Sequence, residues 1–240
     1  MHKDNEEIID VEVCEVINKE NPKKILMVVT SANEFKNGHK TGVWFEEFAI
    51  PYLEFLKQNY TITVASPNGG CAPIDTKSEN LLEDIKWDKA KIALNDTVPI
   101  NTVDFTSYDA LVLPGGHGPI IDLYKNEDLG KIITDFNKRH KLIAAICHGP
   151  AGLLSAKKDG IPFVNGRKMT AFTNEEEIIA KMDGIIPFFQ ENAFKEAGAE
   201  FLEAKPGTVN IVEDDNLITA QNYQSSKEFA KAIVKYLDRA

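Results

Sequence analysis

The chain has 240 residues, 43% of them apolar and 27% charged, with a formal net charge of −10. That length suits one large domain, or one domain with an embellishment, able to bury a core without staples. An acid excess with no basic run to offset it argues against nucleic acid and against an anionic membrane as partner.

Three cysteines, Cys14, Cys71 and Cys147, make no disulfide framework, and no Cys/His set has the spacing of a zinc site. The segment Met1-His2-Lys3-Asp4-Asn5-Glu6-Glu7 is too polar for a signal peptide. No apolar run approaches the roughly 20 residues of a membrane span. A reducing cytoplasm is the expected setting.

Residues 1–22 are acidic and weakly patterned, and are expected to form an N-terminal arm outside a single α/β domain over residues 23–240. Within the arm, the alternation from Ile8 to Val16 also fits an edge strand. Lys24 to Thr30 is a buried strand by run length and β-branching. A polar loop with Gly38 and Gly42 follows, then a helix from Val43 to Asn59 with Pro51 as a kink. Tyr60 to Pro67 is the second strand, and Asn68-Gly69-Gly70 turns the chain. Residues 71–100, charge-rich and long for a crossover, are expected to be an insertion or lid. Tyr108 to Pro114 is the third strand and runs into Gly115-Gly116-His117-Gly118. A helix from Glu127 to Arg139 leads to the apolar run Leu142 to Ile146, which reads as a fully buried strand ending at Cys147. Beyond it come a strand over Lys168 to Thr173, a helix over Glu175 to Lys181, a helix over Phe188 to Ala197 and a short strand over Ala199 to Glu203. A hairpin turns around Asp214-Asp215-Asn216, and an amphipathic helix runs from Ser226 to Leu237. Strands alternating with helices imply a mostly parallel sheet covered on both faces, with ligands at the carboxyl ends of its strands.

The segment Ile146-Cys147-His148-Gly149-Pro150 carries the strongest chemical signal. A sharp strand-to-helix turn lifts its central side chain above the sheet. A helix starting near Gly149 would aim N–H groups and its positive dipole end at the sulfur and favour a thiolate. The plainer reading is a core cysteine, because free cysteine is among the most buried residue types. Gly115-Gly116 after a buried strand leaves backbone N–H groups unobstructed, as an oxyanion hole requires, and suits a simple turn equally well. Glu46 and Glu47 lie on a helix rich in large apolar residues, where a glutamate ordinarily faces solvent. Asn174-Glu175-Glu176-Glu177 reads as a plain capping segment with Asn174 as N-cap. Of the histidines outside the elbow, His117 alone stands out, by its position after the glycine pair.

Together, the elbow, Pro114-Gly115-Gly116-His117-Gly118 and Lys40-Thr41-Gly42-Val43-Trp44-Phe45-Glu46-Glu47 resemble the PfpI-like branch of the class I glutamine amidotransferase-like superfamily. The Lys-Thr-Gly segment resembles its heat-shock chaperone type, which carries glyoxalase III and protein deglycase activity. The resemblance spans roughly residues 23–240. It implies a flavodoxin-like three-layer α/β sandwich, a mostly parallel central sheet and a nucleophile elbow. By the same resemblance Cys147 is the nucleophile, His148 the base, and Glu47 the glutamate whose protonated carboxyl contacts the thiolate. Glu177, with Glu175 and Glu176 as rivals, orients the histidine, and the N–H groups of Gly116 and His148 form the oxyanion hole. Pro114 departs from the small residue usual there.

The implied reaction converts methylglyoxal-like 2-oxoaldehydes to 2-hydroxy acids without glutathione, metal or cofactor, with glycated adducts as further substrates. A homodimer is implied as well. The competing readings are a stress holdase binding unfolded clients, with Trp87, Leu81 and Leu82 as its apolar surface, a sensor in which Cys147 becomes a sulfinic acid beside Glu47, and a cysteine peptidase. Glutamine amidotransfer fits least, since no histidine follows His148 to build a late His-x-Glu pair.

Overall fold

The computed structural model describes residues 22–239 apart from residue 84, with the backbone alone at residues 80–83. The expected arm therefore lies outside the described residues except at its last position, as do the side chains of Leu81 and Leu82.

Strand β1 (Lys24–Val28) precedes helix α1 (Phe45–Lys57) and β2 (Thr61–Ser66). After 3-10 turns at Thr76–Glu83 and Ile85–Trp87 come α2 (Asp88–Leu94), β3 (Val98–Pro99) and β4 (Ala110–Leu113). Next are α3 (Pro119–Asp122), α4 (Glu127–Lys138) and β5 (Leu142–Ile146), then β6 (Lys157–Lys158), β7 (Ile161–Pro162) and β8 (Lys168–Met169). The chain closes with α5 (Asn174–Ile179), α6 (Gln190–Glu196), β9 (Glu200–Phe201), the hairpin β10 (Ile211–Asp214) and β11 (Leu217–Ala220), and α7 (Ser226–Leu237).

The main sheet runs β10-β11-β5-β4-β1-β2-β3, and every pairing except the β10–β11 hairpin is parallel. Burial on both faces explains why β1, β4 and β5 read as unbroken apolar runs. The pleat divides them. Ile25 and Met27 join Phe45, Phe48, Phe55, Phe229 and Ile233 of α1 and α7, while Leu26 and Val28 join Ile132 and Phe136 of α4 on the other face. Each such large side chain contributes about 1.5–3 kcal/mol on burial. The chain moves outward from β1 to β2 and β3, then returns to β4 and β5 on the other side, so the loops after β1 and β4 diverge at the carboxyl edge.

Among the differences from expectation, four have a visible reason. Helix α1 starts at Phe45 rather than Val43, because the N–H of Val43 donates to Pro73 (2.8 Å) and its carbonyl accepts from Asp75 (2.9 Å). Strand β3 is additional to the expected elements: two residues, one a proline, give no periodic signal. Residues 170–173 do not continue β8, since the Thr170 N–H goes to the Thr219 hydroxyl and the Phe172 N–H to the Cys147 carbonyl. The element after the elbow is a 3-10 turn over Gly149–Ser155 rather than an α-helix. Residues 71–100 wrap against α1, and Trp87 sits edge-on to Phe45 at 6.1 Å between ring centroids. Trp87 is therefore half-buried packing rather than open apolar surface, while Ile85 and Ile92 in the same region are exposed. Among the described residues no helix is long and apolar enough to cross a membrane.

Candidate active site

Strand β5 delivers Cys147 to the carboxyl edge with φ at +60°, a left-handed backbone that a side-chain-bearing residue adopts at a cost. Three contacts hold it there. The Cys147 N–H still pairs with Ala220 (2.9 Å), and its carbonyl accepts from the Phe172 N–H (3.0 Å) and from Gln190 Nε2 (2.8 Å). The chain then passes over the end of β4 so closely that a Cβ at Gly149 would lie 2.0 Å from the Leu113 carbonyl oxygen. Only glycine fits.

The thiol is buried, and its Sγ lies 3.3 Å from His148 Nδ1. Burial pushes the Cys147 thiol well up, and the carboxyls of Glu47, Glu176 and Glu177 add to the effect. This corrects the expectation that a helix terminus alone favours the thiolate: the turn is 3-10 and the sulfur is desolvated. The partner able to take the thiol proton is His148.

The N-cap of α5 is Thr173 rather than Asn174, in a capping box with Glu176. That cap assigns the three glutamates different environments. Glu175 is exposed. Glu176 is buried in structural contacts: Oε2 accepts from Thr173 and Gln221, and Oε1 from Asn222 and Gly207. Glu177 points inward and accepts from His148 Nε2 at 2.6 Å through one oxygen and from His117 Nε2 at 2.9 Å through the other. An ionised carboxylate only accepts, so both imidazoles carry their proton on Nε2 and leave Nδ1 as a lone-pair acceptor. Burial works to raise the Glu177 carboxyl, but the electrostatic pull of His148 and the two imidazole hydrogen bonds outweigh it and hold it at about 2. His117 is held down at about 4 by burial and by His148.

Glu47 is fully buried on the first turn of α1. Its Oε2 accepts from the Gly115 N–H at 3.0 Å, and the carboxyl lies in hydrogen-bonding reach of the Cys147 thiol. Burial drives this carboxyl well up, which keeps it protonated beside Cys147. Glu46 turns away and accepts from the Trp44 indole at 3.3 Å. Because Glu47 occupies the Gly115 N–H, the donors left at the elbow are those of Gly116 and His148, neither of which has a protein acceptor among the described residues. The Gly116 backbone is left-handed, with φ at +89°.

The structure thus gathers Cys147, His148, Glu47, Glu177 and Gly116 at one edge, and leaves Glu46, Glu175 and Glu176 outside the reacting set. It adds His117, marked in the sequence only by the glycine pair before it, and Gln190, for which the sequence carries no signal. His117, His148 and Glu177 also place three donor atoms within 4.8 Å of one another, but both Nε2–H groups are spent on the carboxylate, so the cluster is closed by its own hydrogen bonds.

Comparison with known proteins places the chain among relatives. The DJ-1/PfpI family model matches residues 40–236. Glyoxalase 3 of Candida albicans is 30% identical over 230 residues, covering 88% of this chain and 97% of its own. A glutathione-independent glyoxalase of Saccharomyces cerevisiae is 28% identical, over 87% of this chain and 95% of its own. Among solved structures, the Rapid Encystment Protein of Francisella tularensis superposes with a TM-score of 0.82 at 33% identity, covering 89% of this chain and 98% of its own. Glyoxalase III of Candida albicans superposes at 0.77 and 29% identity, over 89% and 96%.

Proposed function

The chain belongs to the DJ-1/PfpI family, and from that premise we propose that it is a glutathione-independent glyoxalase converting methylglyoxal-like 2-oxoaldehydes to 2-hydroxy acids. The observation that carries the reading is the line Glu177–His148–Cys147, buried and hydrogen-bonded in sequence, with the protonated Glu47 carboxyl in contact with the thiol.

His148 Nδ1 takes the thiol proton and the sulfur adds to the aldehyde carbon, giving a hemithioacetal. The N–H groups of Gly116 and His148 stabilise the oxygen as charge develops on it. His148 then moves the proton from the former aldehyde carbon to its neighbour through an enediol. The first carbon is oxidised to the acyl level and the second reduced to an alcohol, so the redox change closes within the substrate. Water hydrolyses the resulting thioester, releasing the 2-hydroxy acid and restoring the thiol. Glu177 compensates the imidazolium at each transfer, and Glu47 supports the sulfur with its proton.

Cys147 is 5% exposed and His148 and Glu47 are fully covered, which favours a small aldehyde over adducts on protein surfaces. A second reading, a holdase, is favoured by Ile85 and Ile92, 81% and 67% exposed on the 71–100 region. It predicts suppression of aggregation that survives loss of Cys147. A cytoplasmic homodimer, with residues 23–240 as the working unit, completes the proposal.

The test is lactate production from methylglyoxal without added glutathione or metal. Turnover should be present in the wild type and absent from Cys147→Ala, with an unchanged circular dichroism spectrum. Undiminished turnover in the variant would refute a cysteine-based glyoxalase.

A further inference from the structure

The loop after β4 touches both carboxyls of the site: Gly115 gives its N–H to Glu47, and two residues later His117 gives Nε2–H to Glu177. His117 is 8% exposed, and its ring lies 3.9 Å from that of His148, tilted by 37°. Both rings also meet Phe172, at 6.0 and 4.8 Å. One carboxylate is therefore shared, oxygen by oxygen, between two closely packed, mutually tilted imidazoles on different loops. The mechanism uses only one of them.

We propose that His117 is a positioning residue that holds one oxygen of Glu177 so that the other stays on His148 as an ionised acceptor. This rests on the reading of Cys147, His148 and Glu177 as the reacting set. Without a second donor, a buried carboxylate with one partner would take up a proton more readily or rotate off His148. In either case Nδ1 of His148 loses basicity toward the thiol. The ring contact imposes a condition as well: a second cation, its ring centroid 3.9 Å from that of His148, would oppose proton uptake there. His117 meets that condition, since burial keeps it neutral near neutral pH. The charged or titratable groups acting on His117 are His148, Glu177 and Asp75. Those acting on the thiol are Glu47, Glu176 and Glu177.

The experiment compares wild type with His117→Ala and His117→Asn, the latter keeping an N–H donor for Glu177. Two pH profiles are read: methylglyoxal turnover, and iodoacetamide labelling of Cys147 followed by mass spectrometry on its peptide. The alanine variant should lose on the order of tenfold in kcat, part of what a general base supplies, with KM within about threefold. Its acid limb should move up by about one pH unit in both profiles, the usual worth of a hydrogen bond to a charged group. The asparagine variant should recover most of both. An unshifted labelling limb in folded His117→Ala, or an asparagine variant no better than alanine, overturns the proposal. If the wild type turns over no methylglyoxal while the labelling limb shifts as stated, the positioning role holds and the glyoxalase reading fails.

Discussion

Glu47 on α1 and Glu177 on α5 are the same side chain, both buried, one against the thiol and one against the imidazole of the Cys147–His148 pair, and they hold opposite charge states. Glu47 has one backbone donor and the Cys147 thiol as partners, which desolvation outweighs, so its carboxyl keeps a proton. Glu177 has two imidazole donors and a neighbour that becomes a cation, so its carboxyl is held at about 2 in spite of burial. Burial alone thus fixes neither state; the partners do. On the proposed mechanism the same logic divides the work: a neutral acid beside the sulfur, and an anion behind the base.

The comparison breaks most severely at its ionised member. Glu177→Gln removes the charge and presents either an amide oxygen or an amide N–H to His148. Turnover should fall by about 10²–10⁴, the range general-base catalysis contributes, with KM little changed. A loss of less than about fivefold would mean that His148 does not need its anion. Glu47→Gln is gentler because it replaces one neutral hydrogen-bonding group with another. It should lower kcat by about tenfold, since the amide can hydrogen-bond to the sulfur but cannot exchange a proton. Equal losses in the two variants would end the distinction between neutral and ionised roles.

Much of this contrast is legible in the sequence and part of it is not. The elbow is readable because an unbroken apolar run ends at Cys147 and small residues follow, and close packing at Gly149 is the reason they must be small. The sheet is readable for the same reason, through β1, β4 and β5. Which glutamate meets His148 is not, because the answer depends on helix phase. Thr173 as N-cap turns Glu176 back to the cap and Glu177 into the site, and a start one residue later would rotate them by about 100°. The 3-10 turn after the elbow is hidden as well. The charge of the thiol escapes the sequence because an approaching helix terminus shows there but the desolvation that opposes it does not. His117 is visible as a position and not as a partner, since its contact lies 60 residues away.

The smallest effect sharpens the contrast through stability rather than turnover. Glu177, depressed to about 2 from an ordinary 4.5, adds stability above pH 4.5 that is lost as the pH falls from there toward 2. Glu47, raised above 4.5, does the reverse: the native state keeps a proton that the unfolded chain releases. Its stability contribution is full below pH 4.5 and declines as the pH rises through its folded value. Glu47→Gln removes that decline and leaves Glu177 and His117 in place, so their acid-side effects cancel in the difference. The stability of Glu47→Gln relative to wild type, from urea midpoints, should therefore increase as the pH is raised from about 4 to about 7. Any fixed packing cost of the amide shifts the whole difference without changing its slope. A difference that stays flat over that range would mean that Glu47 ionises in the folded protein as it does in the unfolded chain, and the two carboxyls would then be alike.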